Sequence, residues 1–425
     1  MRRSCSGVRR SWPLSRAFSV AWVAALCGGS FAADPIFVPI KLDGPVHAPE
    51  KGTFWYGPFS EGSAVFDVNG DGQLDITCGP SWYEGPGWKK HENFRPNAPV
   101  SGEFVSNCGE VAVDVNRDGK LDLVAAGWME NGVFWYENPG TSGAPWKATK
   151  IVSSDWTEGL IVDDIDGDGD KDVLVNHWSS KPDQGVTWLE LQDGAKFAVH
   201  VLGKDGDEHG MGLGDFNGDG RKDIITIVGW WEAPEDRAKG LWQFHRDFRL
   251  PGGVGLGIIV FDVNGDGLKD LIFGHAHDYG LKWLEQLPAE GGQRKFKEHV
   301  IDDTHGQFHT LVLADVNQDG QVDLITGKRL RGHGDGDQST FDPMGIFWFD
   351  IQGGKFTSHV ISYNHLFRYE PTQTRNAAPD CAIGTGMNIS VVDVNKDDKV
   401  DIVVSGKSGC YLFENRGRPP TKKMR

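Results

Sequence analysis

Long apolar runs are missing from most of this 425-residue chain: after the first 33 residues, no segment reaches the ~18 apolar residues that mark a membrane-spanning helix. No stable membrane insertion is therefore expected of the mature protein. Basic charge is scarce as well, with 43 Lys and Arg against 60 Asp and Glu and a formal net charge of −17. A chain this acidic repels polyphosphate, so a nucleic-acid partner is not expected. There is no phosphate-binding glycine fingerprint, no nucleophile elbow and no zinc-protease helix in the sequence. Cysteine is sparse at six residues.

The first 33 residues read as a secretory signal peptide. Arg2, Arg3, Arg9, Arg10 and Arg16 precede an apolar stretch from Ala17 to Cys27, and small residues follow to Ala33. Arg9-Arg10 before Ser-Trp-Pro-Leu loosely matches a twin-arginine signal, so the expected location is secreted or periplasmic. Removing five arginines and no acids takes the charge from −17 to −22. Four cysteines lie beyond the leader, Cys78, Cys108, Cys381 and Cys410, and an exported chain can pair them. Cys78 with Cys108 is the expected pair, since both lie near the first two repeats.

What the chain has in abundance is one phrase, Asp-x-Asn-x-Asp-Gly-x-x-Asp, written with small variations seven times. The copies begin at Asp67, Asp114, Asp164, Asp215, Asp262, Asp315 and Asp393, at spacings of 47, 50, 51, 47, 53 and 78 residues. A period near fifty signals a propeller or solenoid. Each copy offers oxygen ligands at alternate positions, a turn glycine and a closing carboxylate, a set suited to calcium. The expected ligands are Asp67, Asn69, Asp71 and Asp75; Asp114, Asn116, Asp118 and Asp122; Asp164, Asp166, Asp168 and Asp172; Asp215, Asn217, Asp219 and Asp223; Asp262, Asn264, Asp266 and Asp270; Asp315, Asn317, Asp319 and Asp323; and Asp393, Asn395, Asp397 and Asp401. In the last copy Asp398 replaces the glycine. β-branched residues alternate on both flanks, so each loop joins two strands and is not an EF-hand between helices. Without metal, the same residues make ordinary hairpin turns.

These phrases resemble FG-GAP and VCBS repeats, the calcium-loop blades of integrin-type seven-bladed propellers, over roughly residues 60 to 415. The expected fold is all-β: a seven-bladed β-propeller over residues 34–415, after the leader 1–33 and before a short tail 416–425. In the sixth unit the four strands are expected near Leu311 to Val316, Val322 to Thr326, Ile346 to Ile351 and Phe356 to Ile361. The last strand recurs as KFAVHVL, KFKEHVI and KFTSHVI, which makes His200, His299 and His359 structural repeat positions. The seventh unit lacks a fourth strand, and IFVPIKL at residues 36–42 is expected to supply it and close the ring.

In a four-stranded meander the calcium loops all fall on one rim. The opposite rim gathers longer, irregular loops and links: Asn176-His177-Trp178, Gly229-Trp230-Trp231-Glu232, the run from Gly274 to Tyr279, the run from Gly327 to His333, Glu208-His209-Gly210, the run from His305 to His309, and an insertion from about Ser362 to Asn388 with Arg368, Glu370 and Arg375. Propellers bind ligands at such mouths. His209, His277 and His309 are candidate ligands for zinc or another transition metal. Lys328, Arg329 and Arg331 offer positive charge, and Trp230, Trp231 and Tyr279 offer flat faces on which sugar rings stack; polar rim residues and packing between blades are the plainer alternatives. The runs EHGMGLGDFNGDGRKDIITIVGWWEAPED, GHAHDYGLKWLEQ and QFHTLVLADVNQDG resemble the propeller of the aldos-2-ulose dehydratase group, though this chain stops where the fungal enzyme continues into cupin domains. The resemblance implies a metal-assisted lyase on an oxidised, keto sugar. His275 or His305 would be the base, Lys328 or Arg329 would steady the developing charge, and Trp230, Trp231, Tyr279, Arg331 and His333 would bind substrate. Two alternatives stand beside it: a non-catalytic adhesion or carbohydrate-binding propeller, and a polysaccharide lyase acting on uronic acids.

Overall fold

Alternating apolar residues on both sides of a tight polar loop produce an antiparallel strand pair, and seven such pairs organise the molecule. A computed structural model describes residues 34–44, 46–48, 53–56, 60–95, 100–101, 104–129, 131–140, 145–177, 185–330, 332, 336–340, 342–364 and 383–419. Among the described residues the strands form seven four-stranded antiparallel sheets, or blades, and two short two-stranded ribbons. The fold is an all-β, seven-bladed propeller. Arg331, His333, Arg368, Glu370, Arg375 and Cys381, named above, lie outside the described residues, as does the leader.

Blade 3 runs Thr157–Asp163, Asp172–His177, Val186–Gln192 and Lys196–Gly203. Its second strand is buried throughout, while its fourth alternates toward solvent, the burial expected of an inner and an outer strand. Blade 6 runs Phe308–Ala314, Asp323–Lys328, Met344–Gln352 and Lys355–Asn364. Its third and fourth strands extend beyond the expected bounds because they pair along their whole length, from Gln352 with Lys355 to Met344 with Asn364.

Blade 7 is made of Ile389–Val392, Asp401–Gly406 and Gly409–Asn415, with Phe37–Asp43 hydrogen-bonded to the last of these, Phe37 opposite Asn415 and Ile40 opposite Leu412. The pairing passes residue 415, since Arg416 N–H donates to Ile36 O at 2.8 Å. Blades stack face to face through shared apolar clusters. One joins Val113, Val124 and Trp135 of blade 2 (Gly109–Val113, Asp122–Ala126, Val133–Glu137 and Lys147–Val152) to Leu160, Val173 and Leu189 of blade 3. Another joins Ile76 and Tyr83 of blade 1 (Ala64–Phe66, Asp75–Cys78, Ser81–Glu84 and Lys89–His91) to Val403 and Leu412 of blade 7, so first and last blades touch.

Two devices recur from blade to blade. The ninth residue of the loop phrase is buried and, in every blade but the sixth, accepts backbone N–H donors on both oxygens: Asp75 takes Val68 at 2.9 Å and Gly85 at 2.8 Å, and Asp172 takes Ile165 and Leu191, each at 2.9 Å. These aspartates staple the first loop to the end of the third strand, a structural role beside the expected ligand role. On the outer face, histidine stacks on tryptophan: His200 on Trp188 with ring centres 4.2 Å apart, His299 on Trp283 at 4.3 Å and His359 on Trp348 at 3.9 Å. Glu190 and Glu285 each lie 2.6 Å from the Nε2 of their histidine, so these repeat positions are structural.

The loops themselves share one rim. Lys396 of the seventh loop reaches Gly72 O of the first, and Arg117 of the second pairs with Asp170 of the third. Asp398 keeps the glycine's left-handed backbone, φ 65°, where Gly72 has φ 83°.

Candidate functional site

The start of an innermost strand points its side chains at the propeller axis, and in five blades that position carries a metal-binding residue type, Glu61, Cys108, Glu158, His209 and His309. Glu158, His209 and His309 each precede the first aspartate of their own loop, Asp164, Asp215 and Asp315, by six residues. Equivalent repeat positions sit at equivalent heights along the axis. Ring closure therefore places the three together, and the blade 5 loop between Asp270–Gly274 and Tyr279–Glu290 adds His277.

One ring nitrogen from each of His209, His277 and His309 lies within 4.8 Å of the others. His277 Nε2 is 3.4 Å from His209 Nε2, and Glu158 Oε2 is 2.5 Å from His209 Nε2 and 3.7 Å from His309 Nε2. The outer nitrogens of two rings are anchored: His209 Nδ1 donates to Val254 O at 2.5 Å, and His277 Nδ1 lies 3.4 Å from Asp337 Oδ2. Such anchoring turns Nε2 toward a common centre, the arrangement that orients metal-bound imidazoles. His309 is fully buried, and among the described residues neither of its ring nitrogens has a hydrogen-bond partner. Buried imidazoles are normally satisfied, so this orphan calls for a ligand. The donor set, three imidazoles and a carboxylate, fits zinc or a similar divalent ion.

The electrostatics of His309 and Glu158 agree with that chemistry, whereas a metal would have to displace a proton from His209. Burial, with Arg329, His209 and His277 nearby, holds His309 well below the ordinary histidine range, so it is the neutral, metal-binding form. Burial pushes Glu158 upward, but His209, Arg329 and His277 outweigh it and hold the carboxylate below its ordinary value. Burial likewise opposes the charge on His209, and Glu158 overcomes it, raising its pKa. Arg329 spans the channel to Glu61 in a two-pronged ion pair, Nε to Oε1 at 2.8 Å and Nη2 to Oε2 at 2.7 Å. Glu61 holds that same repeat position, six residues before Asp67.

Several expected site residues take other roles. Trp230 and Trp231 are buried on the third strand of blade 4, Gly229–Glu232, inside two different interblade clusters. Trp230 donates to Asp247 Oδ2 at 3.0 Å and Trp231 to Asp205 O at 2.9 Å, so neither face is open to a sugar. Lys328 is buried at the end of its strand and donates to Ser339 O; burial brings its pKa down to about 8. His305 ends the outermost strand of blade 5, 2.8 Å from Asp302 and packed on Phe347, which leaves it outside the axial group. His275 stays near the axis with its Nδ1 buried and unpartnered among the described residues, and burial lowers its pKa. Tyr279 is 36% exposed and donates to Asp342 Oδ2 at 2.5 Å. Cys78 does not pack with Cys108: it shares an apolar cluster with Cys410, while Cys108 lies in the field of Glu61, Arg329 and Glu158.

Glu158 and Glu61 were missed because their apolar flanks read as ordinary strand; the shared six-residue offset from the loop is the signal that finds them. A second omission is an aromatic surface. Trp156, 45% exposed, stacks on Trp128 with ring centres 6.0 Å apart and planes at 15°, and it lies two residues before Glu158. Its backbone is left-handed, φ 49°, a conformation unfavourable for a bulky side chain that occurs at functional sites.

The loop oxygens are arranged as tight polar turns. Asp67 Oδ1 accepts Gly70 N–H at 2.7 Å and Oδ2 accepts Gly72 N–H at 2.8 Å. In blade 3, Asp164, Asp166 and Asp172 bring carboxylate oxygens within 4.8 Å of one another.

A family model described as an FG-GAP-like repeat matches residues 114–175 and 262–326. No match was found among curated proteins. Solved structures with similarity include the rhamnogalacturonan lyase YesW (13% identity, TM-score 0.43, covering 91% of this chain and 76% of that one). Others are the Vibrio cholerae biofilm matrix protein Bap1 (12%, 0.39, covering 92% and 88%) and an auxiliary nutrient binding protein from Bacteroides ovatus (8%, 0.39, covering 89% and 77%). With seven four-stranded blades and those repeat matches, the chain is a seven-bladed β-propeller carrying FG-GAP-like repeats.

Proposed function

We propose that this chain is an exported, calcium-stabilised propeller whose axial centre holds a divalent transition metal and eliminates water from an oxidised, keto sugar. The observation that carries the reading is the convergence of His209, His277, His309 and Glu158, with the ring nitrogens of His309 lacking a hydrogen-bond partner among the described residues. A metal in this set would supply Lewis acidity toward a substrate carbonyl. Arg329, fixed by Glu61, contributes positive field where oxygen gains negative charge. His275, neutral through burial, is the group suited to take the α-proton. Trp156 and Trp128 offer the stacking face, and Tyr279 the polar edge.

Calcium binding is proposed for the seven loops, supported by their oxygen count and by the clustering of Asp164, Asp166 and Asp172. A second reading, a carbohydrate-binding propeller without catalysis, draws on the exposed Trp156 surface.

Elemental analysis by mass spectrometry, before and after mild chelation, tests the proposal on wild type and His277→Ala. About one transition-metal ion per chain in wild type, absent from the variant together with keto-sugar conversion, is the expected result. Calcium alone in wild type would remove the axial metal and leave the binding reading.

A further inference from the structure

The geometry points to a covalent site remote from the axial centre: we propose that Cys78 and Cys410 form a disulfide that clasps the first blade to the last. Cys78 ends the second strand of blade 1, and Cys410 lies in Gly409–Asn415 of blade 7. Both are buried, both belong to one apolar cluster, and both line a cavity of about 210 Å³ together with Asp43, Gly44 and Gly409. Both are free thiols, and the neighbouring Cys410 thiol is the first cause of the raised Cys78 pKa, ahead of burial. Cys108 lies toward the axial acids, as its pKa, raised first by burial and then by Glu61, reflects.

This junction is where a crosslink has most effect. The N-terminal strand is held to blade 7 by backbone pairing, and blade 7 meets blade 1 through side-chain packing and a few polar contacts such as Ser63 N–H to Asn388 Oδ1 at 2.9 Å. Tyr83 of blade 1 donates to Asp43 of the N-terminal strand at the same place. Gly44 approaches Gly409 so closely that an added Cβ would sit 2.3 Å from its Cα. A covalent bond between residues near opposite ends of the propeller sequence encloses most of the chain and strips conformational entropy from the unfolded state.

The reaction removes two protons and two electrons from the two thiols as the S–S bond forms. The electron pair passes by thiol–disulfide exchange to a donor disulfide on an oxidoreductase, which leaves as its dithiol. Export, as read from the leader, supplies a compartment where such donors act. The contact with Cys410 and burial raise the Cys78 pKa, which disfavours its thiolate once the blades have docked. The exchange therefore precedes docking, and the finished bond is shielded from reductant.

Peptide mapping of the full-length protein after export tests this, with free thiols alkylated under denaturing conditions and tryptic peptides analysed without reduction. The expected product is a single peptide pair joined through Cys78 and Cys410, two hydrogens lighter than the separate peptides. Alkylation of both residues, or a bond from either to Cys108 or Cys381, overturns the proposal. Heat denaturation then tests the clasp: under denaturing reduction and refolding in reductant, wild type should melt lower than the oxidised protein and match Cys410→Ser, and reductant should not shift the variant. Equal melting of oxidised and reduced wild type would overturn the stabilising role, and the mapping needs no variant to fold.

Discussion

Nε2 of His209 lies 2.5 Å from Oε2 of Glu158, joining the starts of the innermost strands of blades 4 and 3 at the propeller axis. The two residues stand fifty-one positions apart and share one place in the repeat, six residues before the loop. A carboxylate held this close to an imidazole, itself beside two more, is the donor set on which the proposed metal site rests.

Replacing Glu158 with Gln keeps the shape and removes the negative charge. The variant is expected to lose most of the axial transition metal while keeping its calcium, and keto-sugar elimination should fall by about 10²-fold or more. Metal analysis alongside a progress curve for water loss checks this. Full metal loading in Glu158→Gln would place the carboxylate outside the ligand set.

The Glu61–Arg329 pair makes stability depend on pH. Burial pushes Glu61 upward, but Arg329 and Lys407 pull its pKa below the ordinary 4.5. A carboxylate with a depressed folded pKa contributes stability above its unfolded value, and that contribution is lost as pH falls through the folded value. Glu61→Gln should therefore cost about 3–5 kcal/mol at pH 7, the cost of leaving Arg329 buried without its partner. Urea denaturation should show the difference from wild type shrinking below pH 4.5. An equal difference at pH 7 and pH 3 would refute the linkage.

Chelation should lower the melting temperature of the whole propeller, because ions bound to the loops stabilise only the folded chain. The expected shift reverses when calcium is added back and is smaller in Asp164→Asn, which weakens one loop. A melting curve indifferent to chelator and calcium would make the loops simple polar turns.

Asp398 occupies a left-handed position that favours glycine, φ 65°. Asp398→Gly should stabilise the seventh loop by about 0.5–1 kcal/mol through relief of that conformation, less the extra chain entropy of glycine. Unchanged or lower stability in urea would show that its carboxylate contributes more than its backbone costs.

Trp156 is exposed, so its loss should leave stability within about 0.5 kcal/mol of wild type. Trp156→Ala is nevertheless expected to weaken binding of a keto sugar about tenfold, as removal of a stacking face does. Calorimetric titration at constant metal content measures this, and undiminished affinity would move the sugar elsewhere on the rim.

By itself, the sequence determined the blade. The loop phrase, the alternation on its flanks and the fifty-residue period are local properties, and strand pairing across a short turn follows from them without knowledge of the rest of the chain. The histidines of the fourth strands were legible as structural for the same reason, because each stacks on a tryptophan of its own blade. Three of the four residues proposed as axial ligands were visible as unusual residue types, His209, His277 and His309. Their meeting was decided only by ring closure, which brings together groups from blades 3 to 6. Period-two alternation assigns a strand residue to a face without saying which neighbouring blade covers that face. That is why Trp230 and Trp231 looked like a binding surface and are interblade core, why Lys328 and His305 are engaged by Ser339 and Asp302, and why Cys78 lies against Cys410 at the seam. Local pairing is set by neighbours in sequence, whereas burial and convergence at the axis are set by the packing of one blade on the next.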